Sequence, residues 1–179
     1  NPGIDKVTFT GSTGAGKRIG EVCASRIARC TLELGGKSAA IVRDDFPIDV
    51  AAAILGNTIT IMSGQVCAML SRAIVPRKRH DELAEAIKAV MQGIRIGHSE
   101  DMATQLGPLA MKRQLERVED YVAIGKGSAD LVTGGARPAH MDKGYFMEPT
   151  LFANVDNQSR IAQEEIFGPV LCLIPAEDE

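Results

Sequence analysis

Hydrophobic and polar positions along the chain alternate between two periods. Residues 7–10, Val-Thr-Phe-Thr, are β-branched and aromatic and read as a strand. They empty into a glycine-rich stretch, residues 11–16, after which Ile19, Val22, Cys23 and Ile27 recur at helical spacing. Residues 30–42 hold two short apolar runs split by Gly35-Gly36, either a turn between strands or a bend in one strand. Residues 47–62 begin with Pro47 and Asp49 and run apolar for most of four turns, which predicts a largely buried helix. A strand follows at 71–75. Residues 79–94 then set Leu83, Ile87 and Val90 or Met91 on one face with charges opposite, an amphipathic helix. A loop through Gly107-Pro108 leads to a second such helix, on which Leu115, Val118 and Val122 line up. Residues 129–135, 145–155 and 170–174 read as strands, with a turn or short helix over 158–164 between the last two. This succession predicts an α/β protein: a mainly parallel sheet with flanking helices.

Composition narrows the picture modestly. The 179 residues are enough for one ordinary domain, and 45% apolar with 24% charged residues is usual for a globular chain. A net charge of −3 and a pI near 5.7 give no electrostatic reason to expect nucleic acid or a membrane surface as partner. No apolar run approaches the roughly 20 residues that cross a bilayer. The start, "NPGIDKV", lacks an initiator Met and the pattern of a signal peptide, and the expectation is a piece of a longer polypeptide. Cys23, Cys30, Cys67 and Cys172 form no C-x-x-C, and no His stands at ligand spacing, so no metal site is expected. Their irregular spacing suggests reduced thiols and a cytoplasmic location. Cys23, Cys30 and Cys172 lie in apolar surroundings and read as small buried hydrophobes.

Four stretches hold the candidate chemistry. A strand, a glycine turn and a helix together make a phosphate site, because the first helical turn offers unpaired N–H groups and the positive end of the helix dipole. Residues 11–17 fit G-x-x-x-x-G-K, but a triphosphate loop needs Ser or Thr next, and Arg18 stands there. In "LELGGK", Glu33 between two leucines is either partly desolvated, which would raise its pKa toward the range of a general base, or simply turned to solvent from an alternating strand. In "SGQVCAMLSR", Cys67 stands at the junction between the apolar helix and a strand. A thiol there can face a cleft where N–H groups favour thiolate, although a structural cysteine is the default. In "EEIFGPV", two carboxylates abut an aromatic and a rigid turn, a pairing that suits a ribose hydroxyl and a nicotinamide ring.

"FTGST" followed by Gly16, then "LELGGK", "GQVC" and "EEIFGPV", in that order, resembles the aldehyde dehydrogenase superfamily, and the resemblance runs from the first strand to the last. It implies a truncated aldehyde dehydrogenase-like fold: residues 1–35 as the end of an NAD(P)-binding Rossmann-like domain, and 36–179 as most of a catalytic domain. It implies NAD or NADP as cofactor, an aldehyde as substrate, and a homo-oligomer (dimer or tetramer) in the parent protein. Carried over residue by residue, Cys67 is the nucleophile and Glu33 the general base. Gly11 and Ser12 approach the pyrophosphate, and Gly16 permits close packing at the helix start. The Leu34 backbone lies near the carboxamide, Glu165 holds the nicotinamide ribose, and Phe167 lies against the ring. Two other readings stand beside this one: a CoA-acylating relative, against which Glu33 argues, and a truncated chain without activity. Met62 departs from the family, whose members often carry Asn there, and suggests an altered tunnel wall favouring an apolar aldehyde.

Overall fold

A computed structural model describes residues 1–177. The chain divides into two compact units, Asn1–Gly36 and Lys37–Glu179.

The first unit is one β-α-β crossover. Strands β1 (Lys6–Thr10) and β2 (Arg29–Glu33) pair in parallel, Thr10 opposite Glu33, with helix α1 (Thr13–Ser25) between them in sequence. Ser12 caps α1: its Oγ accepts from the Ala15 N–H at 3.3 Å, as the preference for Ser at this position anticipates. The helix ends sooner than its apolar spacing suggests. Ile27 lies beyond it, left-handed at φ 56° and exposed, because the chain must reverse into β2. The Arg26 guanidinium fastens that reversal by donating to the carbonyls of Asn1, Pro2 and Ile4 at 2.8–2.9 Å. The unit's core is thin, since only Gly16 and Cys23 are buried. Cys30, expected to be buried, is exposed. A two-stranded sheet has one outer face with nothing to cover it in this unit.

The second unit is a five-stranded sheet in the order β3-β4-β7-β6-β5. Strands β3 (Ser38–Ile41), β4 (Leu70–Pro76), β6 (Thr150–Ala153) and β7 (Val170–Ala176) run parallel, and β5 (Asp130–Thr133) is an antiparallel edge. The strands on either side of Gly35-Gly36 belong to different sheets, so the two apolar runs are separate strands, not one bent strand, and the diglycine lies in the connection between them. Helices α2 (Ile48–Thr58) and α3 (Arg77–Gln92) cover one sheet face, packing Leu55, Leu83 and Ile87 on Leu171 and Leu173. Helix α4 (Lys112–Lys126) and the short α5 (Arg160–Gln163) cover the other, packing Leu115, Val118 and Ile161 on Val170, Cys172 and Ile174. Strand β7 alternates between the two cores, which is why its sequence is an unbroken apolar run. Each fully buried Leu or Ile there contributes about 1.5–3 kcal/mol. Only 150–153 of the apolar stretch 145–155 is strand, because Pro149 cannot donate to a ladder and Asn154 turns out at φ 51°. No helix among the described residues is long and apolar enough to cross a membrane.

The contrast in burial predicts a contrast in protection. In hydrogen exchange of this 179-residue chain, the β7 amides should exchange slowest, and those of β1 and β2 orders of magnitude faster. Equal protection of β1 and β7 would contradict the thin-core assignment.

Candidate active site

The expected site residues fall into two groups, one in each unit. In the first, the Gly11 N–H donates to the Glu33 carbonyl at 3.0 Å, extending the ladder past the strand ends. The same unit brings Leu34 to the start of α1: a Cβ on Gly16 would stand 2.4 Å from Leu34 Cδ2, so any side chain there would make Leu34 shift. Gly11, Ser12, Gly16, Glu33 and Leu34 therefore share one end of a two-stranded sheet. The Glu33 side chain is exposed, so the desolvated reading of this residue finds no support here.

The glycine turn suits a dinucleotide phosphate. The N-terminus of a 13-residue helix carries about half a positive charge. No acidic residue stands in its first turn, and a Cβ on Gly14 would meet nothing within 4 Å, leaving the approach open. Arg18, where a triphosphate loop needs a hydroxyl, pairs along the helix with Glu21 at 3.1 Å.

In the second unit, α2 ends at Thr58, earlier than the apolar run to residue 62 suggests. A 3₁₀ turn, Ile61–Gly64, follows, and inside it Met62, Ser63 and Gly64 all take left-handed φ of 49°, 57° and 74°. Gly64 has no alternative: a Cβ would stand 2.2 Å from both C and O of Gly168 and 2.6 Å from Pro169 N. This backbone contact seats the Cys67 loop against the segment bearing Glu165 and Phe167. Ser63 Oγ anchors the loop from below, donating to the Gly107–Pro108 carbonyls at 2.9 and 3.2 Å. Gln65 spans the same gap, its Oε1 accepting from the Ala110 N–H at 3.2 Å. Cys67 then stands exposed in the Val66–Met69 turn. Cys172, by contrast, is buried in β7, which pushes its thiol up to about 11 and leaves it inert.

The acidic pair is divided between two tasks. Glu164 turns back to accept from Arg160 at 2.9 Å and from the Tyr121 hydroxyl at 2.5 Å, and these two hold its carboxyl down at about 2. Its stabilising contribution is complete above the ordinary carboxylate range and disappears as pH falls through about 2. Glu165 is half-buried, and Phe167 beside it is left-handed at φ 62°. Their backbone is clamped from α4. Gln114 Nε2 donates to the carbonyls of Ile166 and Phe167 at 3.0 and 2.7 Å, and Arg117 Nη2 donates to that of Glu165 at 2.6 Å. Sequence reading missed Ser63, Gln114 and Arg117. Each looks like an ordinary polar position, and only the fold shows the carbonyls it meets.

The aldehyde dehydrogenase family model matches residues 1–179. The chain belongs to the aldehyde dehydrogenase family. It is 46% identical to the geranial dehydrogenase of Castellaniella defragrans, over all of this chain and 37% of that protein. It superposes with a TM-score of 0.93, at 46% identity, on an aldehyde dehydrogenase of Mycobacterium tuberculosis complexed with NAD+, covering 100% of this chain and 37% of that one. A Cys→Ala mutant of aldehyde dehydrogenase C from Pseudomonas syringae, with NAD+ and octanal, matches at 0.96 and 37% identity, again over 100% and 37%. The chain thus spans a little over a third of the length of the curated relative and of both solved structures.

Met62 is left-handed at φ 49°, a backbone that Asn tolerates better than an unbranched apolar side chain does. The residue is 71% exposed, so little packing opposes replacement. Met62→Asn should stabilise the second unit by about 0.5–1 kcal/mol. Gly64→Ala should cost more than about 2 kcal/mol, because its Cβ meets rigid backbone. Urea unfolding followed by circular dichroism measures both, and a neutral Gly64→Ala would refute the contact.

Proposed function

We propose that this chain is part of a longer NAD(P)-dependent aldehyde dehydrogenase that oxidises an aldehyde to a carboxylic acid through a covalent adduct on Cys67. The observation that carries the proposal is the seating of the Cys67 loop on the Glu165–Phe167 segment through Gly64, in a chain of this family. Cys67 is the one cysteine that pairs exposure with a glycine-set loop of left-handed backbone, the kind of strained geometry that clusters at functional sites.

Cys67 thiolate adds to the aldehyde carbon and gives a thiohemiacetal. The nicotinamide, when bound, supplies the hydride acceptor that converts this adduct to a thioester. Glu33 takes a proton from water, the hydroxide equivalent adds to the thioester carbonyl, and the thiolate leaves, releasing the acid. Sulfur suits both steps because it attacks well and departs well. Gly11 and Ser12 would receive the pyrophosphate, with Gly16 permitting close packing at the helix start; Glu165 would accept from the ribose hydroxyls, Phe167 would bear on the ring, and the Leu34 backbone would meet the carboxamide. The substrate class we infer is an apolar aldehyde. Geranial dehydrogenase is a relative and octanal occupies a structural neighbour. Exposed Ile61 and Met62 precede the Cys67 loop here.

Glu33→Gln in the full-length polypeptide should lower steady-state turnover by about 10²- to 10⁴-fold, the span of general-base contributions, while a single-turnover burst of NADH survives. Cys67→Ala should abolish the burst itself. Stopped-flow absorbance with octanal reads both. Normal steady-state turnover in Glu33→Gln would remove the base assignment, and the hydrolytic route with it.

A further inference from the structure

Helix α4 grips two consecutive residues in different ways, Glu164 by its side chain and Glu165 by its main chain. The Tyr121 hydroxyl donates to Glu164 Oε2 at 2.5 Å. Arg117, one turn earlier on α4, donates from Nη2 to the Glu165 carbonyl at 2.6 Å. The two grips are joined. The same Nη2 donates to the Tyr121 hydroxyl at 3.3 Å, and the guanidinium lies over the Tyr121 ring, 4.9 Å from its centroid. Because an ionised carboxylate only accepts, the phenolic proton points at Glu164 and an oxygen lone pair faces Arg117. The contacts close a ring: Glu165 carbonyl, Arg117 guanidinium, Tyr121 hydroxyl, Glu164 carboxylate, and back along the main chain to Glu165.

Stability is a poor explanation of this ring. Its outer member, the Arg160–Glu164 ion pair, has side chains 62% and 44% exposed, and exposed pairs contribute little. Tyr121 itself is buried, and burial with the Glu164 hydrogen bond raises its pKa, so it stays a phenol and a donor at neutral pH. What a closed ring supplies is orientation. The main chain from the Glu164 Cα to the Glu165 carbonyl is tied at both ends to one helix, and this sets the direction in which the Glu165 side chain leaves it.

We propose that Tyr121 is a positioning residue for Glu165: it closes a hydrogen-bonded ring through Arg117 and Glu164 that holds the Glu165 main chain in the orientation its carboxylate needs to meet the ribose hydroxyls of the nicotinamide nucleotide. The proposal rests on the reading of Glu165 as the ribose ligand. Tyrosine suits the task because its ring face carries the guanidinium while its hydroxyl both donates and accepts. Phenylalanine keeps the first property and loses the second.

The test titrates NAD+ by calorimetry into the full-length polypeptide as wild type, Y121F, E164Q, E165Q and Y121F/E165Q, and measures the KM for octanal of each. Y121F should raise the NAD+ dissociation constant about two- to tenfold, the scale of ordering one side chain at a binding surface. E164Q opens the same ring from the half-exposed side, where folding is not at stake, and should match Y121F within about threefold. The octanal KM should stay within about twofold of wild type in both. E165Q should weaken NAD+ binding about ten- to hundredfold, as loss of hydrogen bonds to a charged group does. Y121F/E165Q should bind no more than about twofold weaker than E165Q alone, since Tyr121 acts through that carboxylate. Wild-type affinity in either Y121F or E164Q, with weakened binding in E165Q, would overturn the ring and leave the ribose assignment standing. Wild-type affinity in E165Q would overturn both. Multiplying losses in the double variant, or an octanal KM that rises in step with the NAD+ dissociation constant, would make Tyr121 merely structural and overturn the proposal.

Discussion

The second unit's site depends on one backbone contact, Gly64 against Gly168 and Pro169. With no side chain at residue 64, two loops far apart in sequence approach until a Cβ would lie 2.2 Å from a carbonyl. Three consecutive left-handed residues deliver Gly64 there, two of them non-glycine, and Phe167 on the facing segment is left-handed as well. Such backbone is unfavourable residue by residue and persists only where surroundings over-determine it. The surroundings here are Ser63 on the Gly107–Pro108 carbonyls and Gln65 on Ala110.

The facing segment is rigid for a second reason. It enters β7, buried on both sheet faces, and its carbonyls are taken up by Gln114 and Arg117 of α4. Glu164 is tied to Arg160 and Tyr121, so the turn between α5 and β7 has little freedom left. In the proposed role of Glu165 and Phe167, a carboxylate and an aromatic that meet a nucleotide gain most when ordered beforehand, because the entropy of ordering is then not charged to binding.

The first unit works differently. Its glycine turn, capped helix and paired strands are local, and they form around two buried residues. Such a unit can define a glycine turn at a helix N-terminus but has little core with which to hold it.

The alternation of strand and helix, the apolar run of β7 and the glycine turn before α1 were legible in the sequence, because periodicity, capping and glycine punctuation act over a few residues. The order of the four motifs named the family, and it is the resemblance that proposes Cys67, Glu33 and Glu165 as site residues. Other features were decided only by tertiary structure. The left-handed backbone at Met62 and Ser63 follows from a contact a hundred residues away. The exposure of Cys30 and Ile27 follows from how little of the first unit is covered, whereas apolar neighbours in sequence had suggested burial. The division of labour between Glu164 and Glu165 depends on which groups the sheet brings alongside. Local propensity determines what each segment can become; long-range packing alone determines which polar atoms meet.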